Sequence, residues 1–378
     1  MTQSPGQQSL EQLAIDLVAI PSVIGDEAAV CDYCESWLRA RKMHGLTRAG
    51  ENLAFHPRPF REGVPKVLLL GHLDTVPKSD DNPARIEGDK LSGLGSSDMK
   101  CADALLMQLC ARAVHEDAPV DLCGVLYARE EGPYDESGMP EILAAAPGCF
   151  QDVDFAVAME PTDNRIELGC LGTMHARVTL RGKRAHSARP WHGENAIHMA
   201  APLIGALAAL APRDAEFGGL LFREVCSATM IDFDGARNVI PGACTLNLNF
   251  RFAPDRDSDE AVAWLADFVR DALGDAVFRE HVEFEVLDVC PSGRVCAKNP
   301  LLSSLREVAG PSVRTVAKQA WTDVGRLSQL GIDAINFGPG HTAQAHQRGE
   351  FASRALLGEA ADVLHRWIFG SAPKDPIR

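Results

Sequence analysis

The segment VLLLGHLDTVP, Val67 to Pro77, determines the fold that we predict for the rest of the chain. Its apolar residues 67–70 predict a buried strand, and His72 and Asp74 follow directly. Because side chains alternate along a strand, these two point the same way from its carboxyl end. A histidine beside a carboxylate is typical of a metal ligand and the partner that orients it. The two residues could also be solvated side chains at the end of a strand. The residues that follow the other predicted strands distinguish these two alternatives.

Three further apolar runs are followed by charged or histidine side chains: residues 122–128 before Glu130 and Glu131, residues 155–159 before Glu160, and residues 334–337 before the loop with His346. Nearly continuous apolar runs are typical of strands buried on both faces of a parallel sheet, and helical patterns separate them here. Ligands bind at the carboxyl ends of the strands in an open α/β sheet. The sequence therefore predicts that these side chains converge on one crevice.

A turn rich in glycine and serine, LSGLGSSDMK at residues 91–100, places Asp98 just before an amphipathic run. An aspartate at this position is most often a helix N-cap. Its place among the strand-end acids and histidines favours a site residue instead.

The composition excludes several classes of function. The chain has 378 residues, 46% hydrophobic and 24% charged, which suits a globular protein of two domains. Its net charge of −15 argues against binding to nucleic acid or to anionic lipid. No stretch is as long as a membrane span, and the polar N-terminus lacks the pattern of a signal peptide. The expected location is the cytoplasm.

The eleven cysteines are scattered, often within apolar runs, which indicates reduced thiols in the core. Cys31 and Cys34 form a single C-x-x-C pair inside a helical pattern. Because no second pair is present to complete a zinc knuckle, we interpret them as structural.

The pattern changes between about residues 173 and 288. Apolar and polar residues alternate at 174–181, and helices and strands then follow in the order β-α-β-β-α-β, which predicts a ferredoxin-like insertion. The predicted fold class is thus α/β, with a mixed, mainly parallel sheet flanked by helices and an inserted α+β domain. The predicted boundaries are 1–172 and 289–378 for the first domain and 173–288 for the second.

The converging residues are two imidazoles and three carboxylates: His72, Asp98, Glu131, Glu160 and His346. This mixture suits Zn²⁺ or a similar divalent ion, and one bridging carboxylate with two ligands per ion suits a two-metal site. Such a site also needs a general base that is not a ligand. Glu130 is the candidate, because adjacent residues of an extended segment face different ways. The alternative for the Glu130 and Glu131 pair is a charged loop.

These residues lie in motifs that resemble a known family. The motifs are GHLDTVP at 71–77, GSSDMK at 95–100, EEG at 130–132, MEP at 159–161 and RAHS at 184–187. They are similar to the signatures of the co-catalytic zinc aminoacylase and carboxypeptidase family, which includes acetylornithine deacetylase and succinyl-diaminopimelate desuccinylase. Segments 127–131, 169–173, 247–255 and 321–324 most resemble the actinobacterial type of the desuccinylase.

The resemblance implies a role for each residue of the metal site. His72 and Glu160 would hold one ion, Glu131 and His346 the other, and Asp98 would bridge them. Asp74 would orient His72, and Glu130 would be the general base. The ions would most simply be two Zn²⁺, although the ligand set also accepts Co²⁺ or Mn²⁺. The family's pattern further implies a cis peptide bond at Asp98-Met99. His341 is a rival to His346 as ligand, but the alanine before His346 fits the family pattern better.

The inserted domain resembles the lid and dimerisation domain of the family. His186 matches a histidine that reaches the partner subunit's active site in a homodimer and steadies the oxyanion. Asn238 and Arg251 match residues that bind polar groups of the substrate, and Thr322 is a further candidate. The alternatives are a surface histidine, a turn-forming asparagine and a solvated arginine.

The resemblance implies hydrolysis of a small N-acyl amino acid, with N-succinyl-L,L-diaminopimelate as the first candidate. An arginine found in some desuccinylases is replaced here by Leu171, which leaves the succinyl carboxylate to Arg251, Thr322, Asn238 or another cation. Acetylornithine deacetylase or a broader aminoacylase is the first alternative, and an exopeptidase is the second. A non-catalytic binding protein would be expected to lack a ligand or the base, and none is missing.

Overall fold

A computed structural model describes residues 8–370 of the chain. Its strands are β1 Gly45–Ala49, β2 Asn52–His56, β3 Lys66–His72, β4 Arg85–Glu87, β5 Lys90–Ser92, β6 Asp121–Tyr127, β7 Phe155–Ala158, β8 Ile166–Leu168, β9 Gly172–Arg181, β10 Ala185–His186, β11 Arg213–Phe217, β12 Leu220–Phe233, β13 Val239–Ile240, β14 Ala243–Phe252, β15 Val282–Cys290, β16 Thr315–Ala317, β17 Ala334–Asn336 and β18 Phe351–Ser353. Its α-helices are α1 Leu10–Ala19, α2 Ala28–Ala40, α3 Cys101–Ala113, α4 Met139–Ala145, α5 Ala196–Ala209, α6 Ser258–Leu273, α7 Asp275–His281, α8 Pro300–Ala309, α9 Val324–Gln329 and α10 Arg354–Phe369.

The chain divides into two compact units. Among the described residues, the first comprises 8–168, 296–316 and 330–370, and the second comprises 169–295 and 317–329. The second unit thus includes helix α9 and the segment before it, which the sequence analysis placed in the first domain.

The first unit is built on an eight-stranded sheet in the order β1-β2-β6-β3-β7-β17-β8-β16. Its four adjacent strands β6, β3, β7 and β17 are parallel, and antiparallel pairs lie on either side of them. Every residue of β6 and β7 is buried, as the continuous apolar runs predicted. The predicted mixed, mainly parallel sheet is confirmed. Four neighbouring carboxyl ends therefore lie side by side at one edge of the sheet.

The second unit contains a five-stranded antiparallel sheet in the order β11-β12-β14-β9-β15. Without β11, the order across the sheet is β12-β14-β9-β15. Numbered along the chain, these are the second, third, first and fourth strands, which is the ferredoxin-like arrangement that we predicted. Burial alternates along β14, and its apolar side chains share a core with α5 and α6 that includes Leu203, Phe250 and Leu265.

Local details of this unit differ from the prediction. The edge strand β11 was not predicted, because Arg213–Phe217 lacks a run of apolar residues. The last strand begins at Val282 and not at His281, because the short helix α7 continues to His281.

All eleven cysteines are free and buried, as predicted for core thiols. Cys31 and Cys34 lie on the buried face of α2. Among residues 8–370, the helices are all too short or too polar to cross a bilayer.

Candidate metal centre

The carboxyl ends of the four parallel strands carry four of the five predicted ligands. His72 is the last residue of β3. Glu131 follows β6, Glu160 follows β7 by two residues, and His346 lies in the loop between β17 and β18. His72 and Glu160 are buried, at 1% and 8% exposure, whereas the side chain of His346 is 52% exposed. Adjacent parallel strands thus position these side chains, as the sequence predicted.

Asp98 lies between the two histidines. Its Oδ1 is 3.2 Å from Nε2 of His72, and its Oδ2 is 3.8 Å from Nε2 of His346. The Asp98-Met99 peptide bond is cis, as the family pattern implied. Helix α3 begins after Lys100 and has no side-chain cap, so Asp98 is not a helix N-cap. Each oxygen of one carboxylate therefore faces a different imidazole, which is the arrangement expected of a bridging ligand.

Glu131 completes the group. Its Oε1 is 2.8 Å from Nε2 of His346, and ligand atoms of His72, Asp98 and Glu131 all lie within 4.8 Å of one another. One imidazole and two carboxylates at this distance, with His346 beside Glu131 and Asp98, fit divalent ions that accept nitrogen and oxygen ligands. Glu160 is not part of this three-residue group. The residues of the chain therefore suit the metal-binding role that their types suggested.

Asp74 contacts His72 and the backbone of both Glu130 and Glu131. Its fully buried carboxylate accepts the backbone N–H groups of Glu130 and Glu131, each at 2.9 Å, and lies 3.5 Å from Nδ1 of His72. The sequence predicted the contact with His72. It did not predict the two backbone bonds, because they join residues 56 and 57 positions apart.

Burial and neighbouring groups shift the pKa values of several side chains in the centre. Burial raises the pKa of the Glu130 carboxyl well above its usual value, and the carboxylate of Glu160 adds to this effect against the opposing influence of His72. The hydrogen bond with Glu131 raises the pKa of His346 to about 9. Burial would raise the pKa of Asp74, but its bond to His72 and the two backbone N–H groups lower it overall.

The rival histidine has a different partner. Nδ1 of His341 lies 2.8 Å from the carboxylate of Asp163, whereas His346 contacts Glu131 and Asp98. The geometry therefore favours His346 as the ligand.

Glu350 is a residue of this region that the sequence analysis missed. It is 2% exposed, and its carboxylate accepts backbone N–H groups from Gly95, Ser97 and Asp98. A glutamate four residues after a candidate ligand was the only signal, and it is weak, because acidic residues are common in loops.

The predicted substrate-binding residues all lie in the second unit. His186 in β10 pairs with Val239, and the N–H of Ser187 donates to the carbonyl of Asn238, so His186 and Asn238 are neighbours. Both side chains are exposed. Arg251 in β14 donates from Nε to Asn249, and Thr322 is buried.

Comparison with known proteins yields consistent matches. The model of peptidase family M20/M25/M40 matches residues 68–369. A Mycobacterium tuberculosis protein provisionally named succinyl-diaminopimelate desuccinylase DapE is 37% identical over 95% of this chain and 98% of its own length. The succinyl-diaminopimelate desuccinylase of Corynebacterium glutamicum is 34% identical over 93% of this chain and 94% of its own.

Two further matches are more distant. The N-acetyl-L-citrulline deacetylase of Xanthomonas campestris is 28% identical over 93% of both chains. Among solved structures, the aminopeptidase PepT of Bacillus cereus superposes with a TM-score of 0.78 over 95% of this chain and 97% of its own, at 17% identity. At that identity the structural likeness supports the fold alone.

Proposed function

Because the chain belongs to peptidase family M20/M25/M40, we propose that it hydrolyses the N-succinyl amide of N-succinyl-L,L-2,6-diaminopimelate, giving succinate and L,L-diaminopimelate. The observation that carries this proposal is the identity of 37% and 34%, over nearly the whole chain, with two proteins that bear the desuccinylase name. The reaction belongs to the biosynthesis of diaminopimelate and lysine. We propose the cytoplasm as its location, which eleven free thiols favour.

The centre is proposed to hold two divalent ions, most simply Zn²⁺, with Co²⁺ or Mn²⁺ as alternatives. His72 and Glu160 would bind one, Glu131 and His346 the other, and Asp98 both. The three-residue group of His72, Asp98 and Glu131 supports a metal site here, and the contacts of Asp98 with both histidines support its role as the shared ligand. When bound, such ions supply Lewis acidity to the amide carbonyl and to the attacking water.

Glu130 is the proposed general base. It removes a proton from the attacking water and returns that proton to the departing amine. A carboxyl with a raised pKa suits both steps, because it accepts a proton readily and still releases it to an amine. Asp74 supports this role by binding the backbone N–H of Glu130, which holds the residue beside its ligand neighbour Glu131.

The second unit is proposed to supply the substrate-binding and oxyanion-stabilising groups. His186 and Asn238 lie on adjacent, paired backbone segments and offer two exposed polar groups for the oxyanion and the substrate. Arg251 has no carboxylate partner within the described part of the chain, and burial lowers its pKa. An unpaired guanidinium suits a substrate carboxylate, which matters here because Leu171 replaces the arginine of some desuccinylases. Thr322 remains a candidate for the same role.

We also propose a homodimer formed through the second unit, which serves as the lid and dimerisation domain. The outer part of β12 exposes three large apolar side chains, with Met230 at 71%, Ile231 at 54% and Phe233 at 53%. On α5, Ile204 is also exposed, at 38%. Apolar groups concentrated on one strand and one helix of a unit suit burial by a second copy. In such a dimer His186 would act on the partner's substrate.

Amine release from chelator-stripped protein tests the reaction, with and without Zn²⁺. The substrates are N-succinyl-L,L-diaminopimelate, N-acetylornithine and N-acetylcitrulline, compared in parallel. We expect metal-dependent turnover of the succinyl compound and at least tenfold lower kcat/KM for the acetyl compounds. If the protein cleaved only the acetyl compounds, it would be a deacetylase and not a desuccinylase. Deacetylation is the second candidate because of the 28% identity to N-acetyl-L-citrulline deacetylase.

Glu130→Gln tests the assignment of the base. The variant keeps the shape of the side chain and should retain metal, while kcat falls by about 10²–10⁴. Glu136→Gln, at an exposed glutamate in the same loop, is the matched control and should behave as wild type. A Glu130→Gln enzyme with wild-type kcat would show that another residue is the base.

Size-exclusion chromatography with light scattering tests the dimer. The protein is expected to elute at twice the chain mass, and Ile231→Asp should shift it towards the monomer by placing a charge in the proposed interface. An active wild-type monomer would contradict the trans role of His186.

A further inference from the structure

Glu350 has an unusual set of hydrogen-bond donors for a buried glutamate. It lies immediately before β18, and its Oε2 accepts the N–H of Gly95 at 2.9 Å. Its Oε1 accepts the N–H groups of Ser97 at 2.8 Å and of Asp98 at 3.1 Å. These donors all come from the turn that presents Asp98 to the metal centre. A carboxylate that collects several backbone N–H groups fixes the path of that backbone, as anion-binding turns do.

The backbone of Glu350 is anchored to the same region. Its carbonyl accepts the N–H of Gly93 at 3.1 Å and the side-chain amide of Asn82 at 2.8 Å. The pairing of β18 with β5, which joins Phe351 to Ser92, continues this contact along the chain. Glu350 is therefore held at both its side chain and its main chain, and it is 2% exposed.

Glu350 also ends the loop that carries His346. A second link joins this loop to the Asp98 turn, because the hydroxyl of Ser97 donates to the carbonyl of His341 at 3.1 Å. The side chain of His346 is 52% exposed, and the side chains that it contacts in the centre are those of Glu131 and Asp98. The position of His346 relative to Asp98 therefore depends on how its loop is attached to the turn.

We propose that Glu350 is a positioning residue that holds the Asp98 turn and the loop with His346 in a fixed position relative to each other. It would thereby determine the affinity for the ion that Glu131 and His346 would hold. The proposal rests on the metal centre of the proposed function. By contrast, His72 is the last residue of the buried strand β3 and Glu160 follows the buried strand β7, so these strands position them without Glu350. Loss of Glu350 should therefore affect the two ions unequally.

Glu350→Gln isolates this role. Glutamine keeps the length of the side chain but replaces one acceptor oxygen with an N–H₂ group, which faces backbone donors. Removal of an outer partner of a metal ligand typically lowers affinity by about 10–100-fold. We expect a loss of this size for one of the two ions, the one that Glu131 and His346 would hold, and a smaller loss for the other, which shares Asp98 with it. Glu350→Asp keeps two acceptor oxygens on a shorter side chain and should lie between the wild type and Glu350→Gln.

The control is Glu224→Gln. Glu224 is also a buried glutamate, and its carboxylate accepts the backbone N–H of Ala253 and binds two arginines, but it lies in the second unit. This variant should lose stability without a change in the affinity for either ion.

The measurement is calorimetric titration of the chelator-stripped full-length protein with Zn²⁺ and with Co²⁺, alongside circular dichroism to verify folding. At saturating metal, kcat should recover largely and KM should stay unchanged. If Glu350→Gln does not fold, Glu350→Asp provides the same comparison.

Two results would overturn the proposal: affinities for both ions within threefold of wild type in a folded Glu350→Gln protein, or an equal loss for both ions that Glu224→Gln reproduces. The titration needs no substrate, so it is separate from the test of the reaction. A protein that binds two ions with the expected Glu350 effect, yet does not cleave the succinyl substrate, would refute the proposed substrate alone.

Discussion

Replacement of Asp74 by asparagine is expected to weaken the metal centre and the fold together. The carboxylate accepts two backbone N–H groups, from Glu130 and Glu131, each at 2.9 Å, and lies 3.5 Å from the ring of His72. Asparagine has one carbonyl oxygen, so one of the two N–H groups must face the N–H₂ group instead. The side chain is fully buried, and water therefore cannot replace the lost acceptor.

The size of the effect follows from these contacts. A hydrogen bond to a charged group contributes about 1.5–3 kcal/mol, so Asp74→Asn should lower the free energy of unfolding of the metal-free protein by about that amount. Asp74→Ala loses both bonds and should cost about twice as much. Metal affinity should fall by about 10–100-fold, because His72 loses its orienting partner and Glu131 loses its backbone anchor.

The assay combines urea unfolding of the metal-free protein with competition against a chelator of known affinity. Asp121→Asn is the matched control. Asp121 is also a buried carboxylate that accepts a backbone N–H, from Arg61, but it lies at the amino end of β6. Six residues of extended strand place that end about 20 Å from the carboxyl end that precedes Glu130. The control should lose stability and keep its metal affinity.

Activity at saturating metal adds a second test. Asp74 also holds Glu130, so kcat of Asp74→Asn should stay at least tenfold below wild type even when both ions are bound. If Asp74→Asn bound metal within threefold of wild type, or if Asp121→Asn lost metal affinity to the same extent, the proposed coupling through Asp74 would be refuted.

Three further predictions follow from the same geometry. Gly338→Ala would place a Cβ atom 2.3 Å from the carbonyl oxygen of Met159 and 2.6 Å from that of Glu160, so it should lower stability by about 1–3 kcal/mol and metal affinity at least tenfold. In α10, Gly358→Ala would place a Cβ atom more than 4 Å from any atom beyond its own stretch of helix, so it should instead raise stability by about 0.5–1 kcal/mol. Urea unfolding measures both variants. Metal affinity should rise from about pH 6 to about pH 9, because His346, with its pKa raised to about 9 beside Glu131, must lose a proton before it can bind an ion. His346→Gln should reduce that slope by about one proton, as chelator competition across this pH range would measure. Removal of metal should raise the urea sensitivity of the first unit, and Zn²⁺ should restore it; an unchanged midpoint would argue against a site that binds ions in the native state.

The sequence alone determined the sheet and the positions of most candidate metal ligands, because both depend on local patterns. Each apolar run that predicted a buried strand forms one, and the polar residues directly after it lie at its carboxyl end. Because these strands are parallel neighbours in the sheet, their carboxyl ends lie side by side. His72 and Glu131 could be predicted for this reason. Asp98 and the cis bond that the structure contains were instead implied by the family motif GSSDMK, residues 95–100.

The sequence analysis did not predict β11, because a strand at the edge of a sheet needs no apolar run to pair with its neighbour. It also could not assign the segment of residues 317–329 to the second unit, since that segment is far from the rest of the unit in sequence. Both features depend on contacts between distant parts of the chain, which one-dimensional patterns do not record.

Tertiary structure decided the contacts that hold the ligands. Asp74 reaches the backbone of Glu130 and Glu131 across 56 and 57 residues, and Glu350 reaches the Asp98 turn across 252. Backbone N–H groups are present at nearly every residue, so no side-chain pattern indicates which of them a buried carboxylate will bind. The residue types of the site can be read from the sequence because its chemistry requires them, whereas the residues that position it are set by which segments the fold brings together.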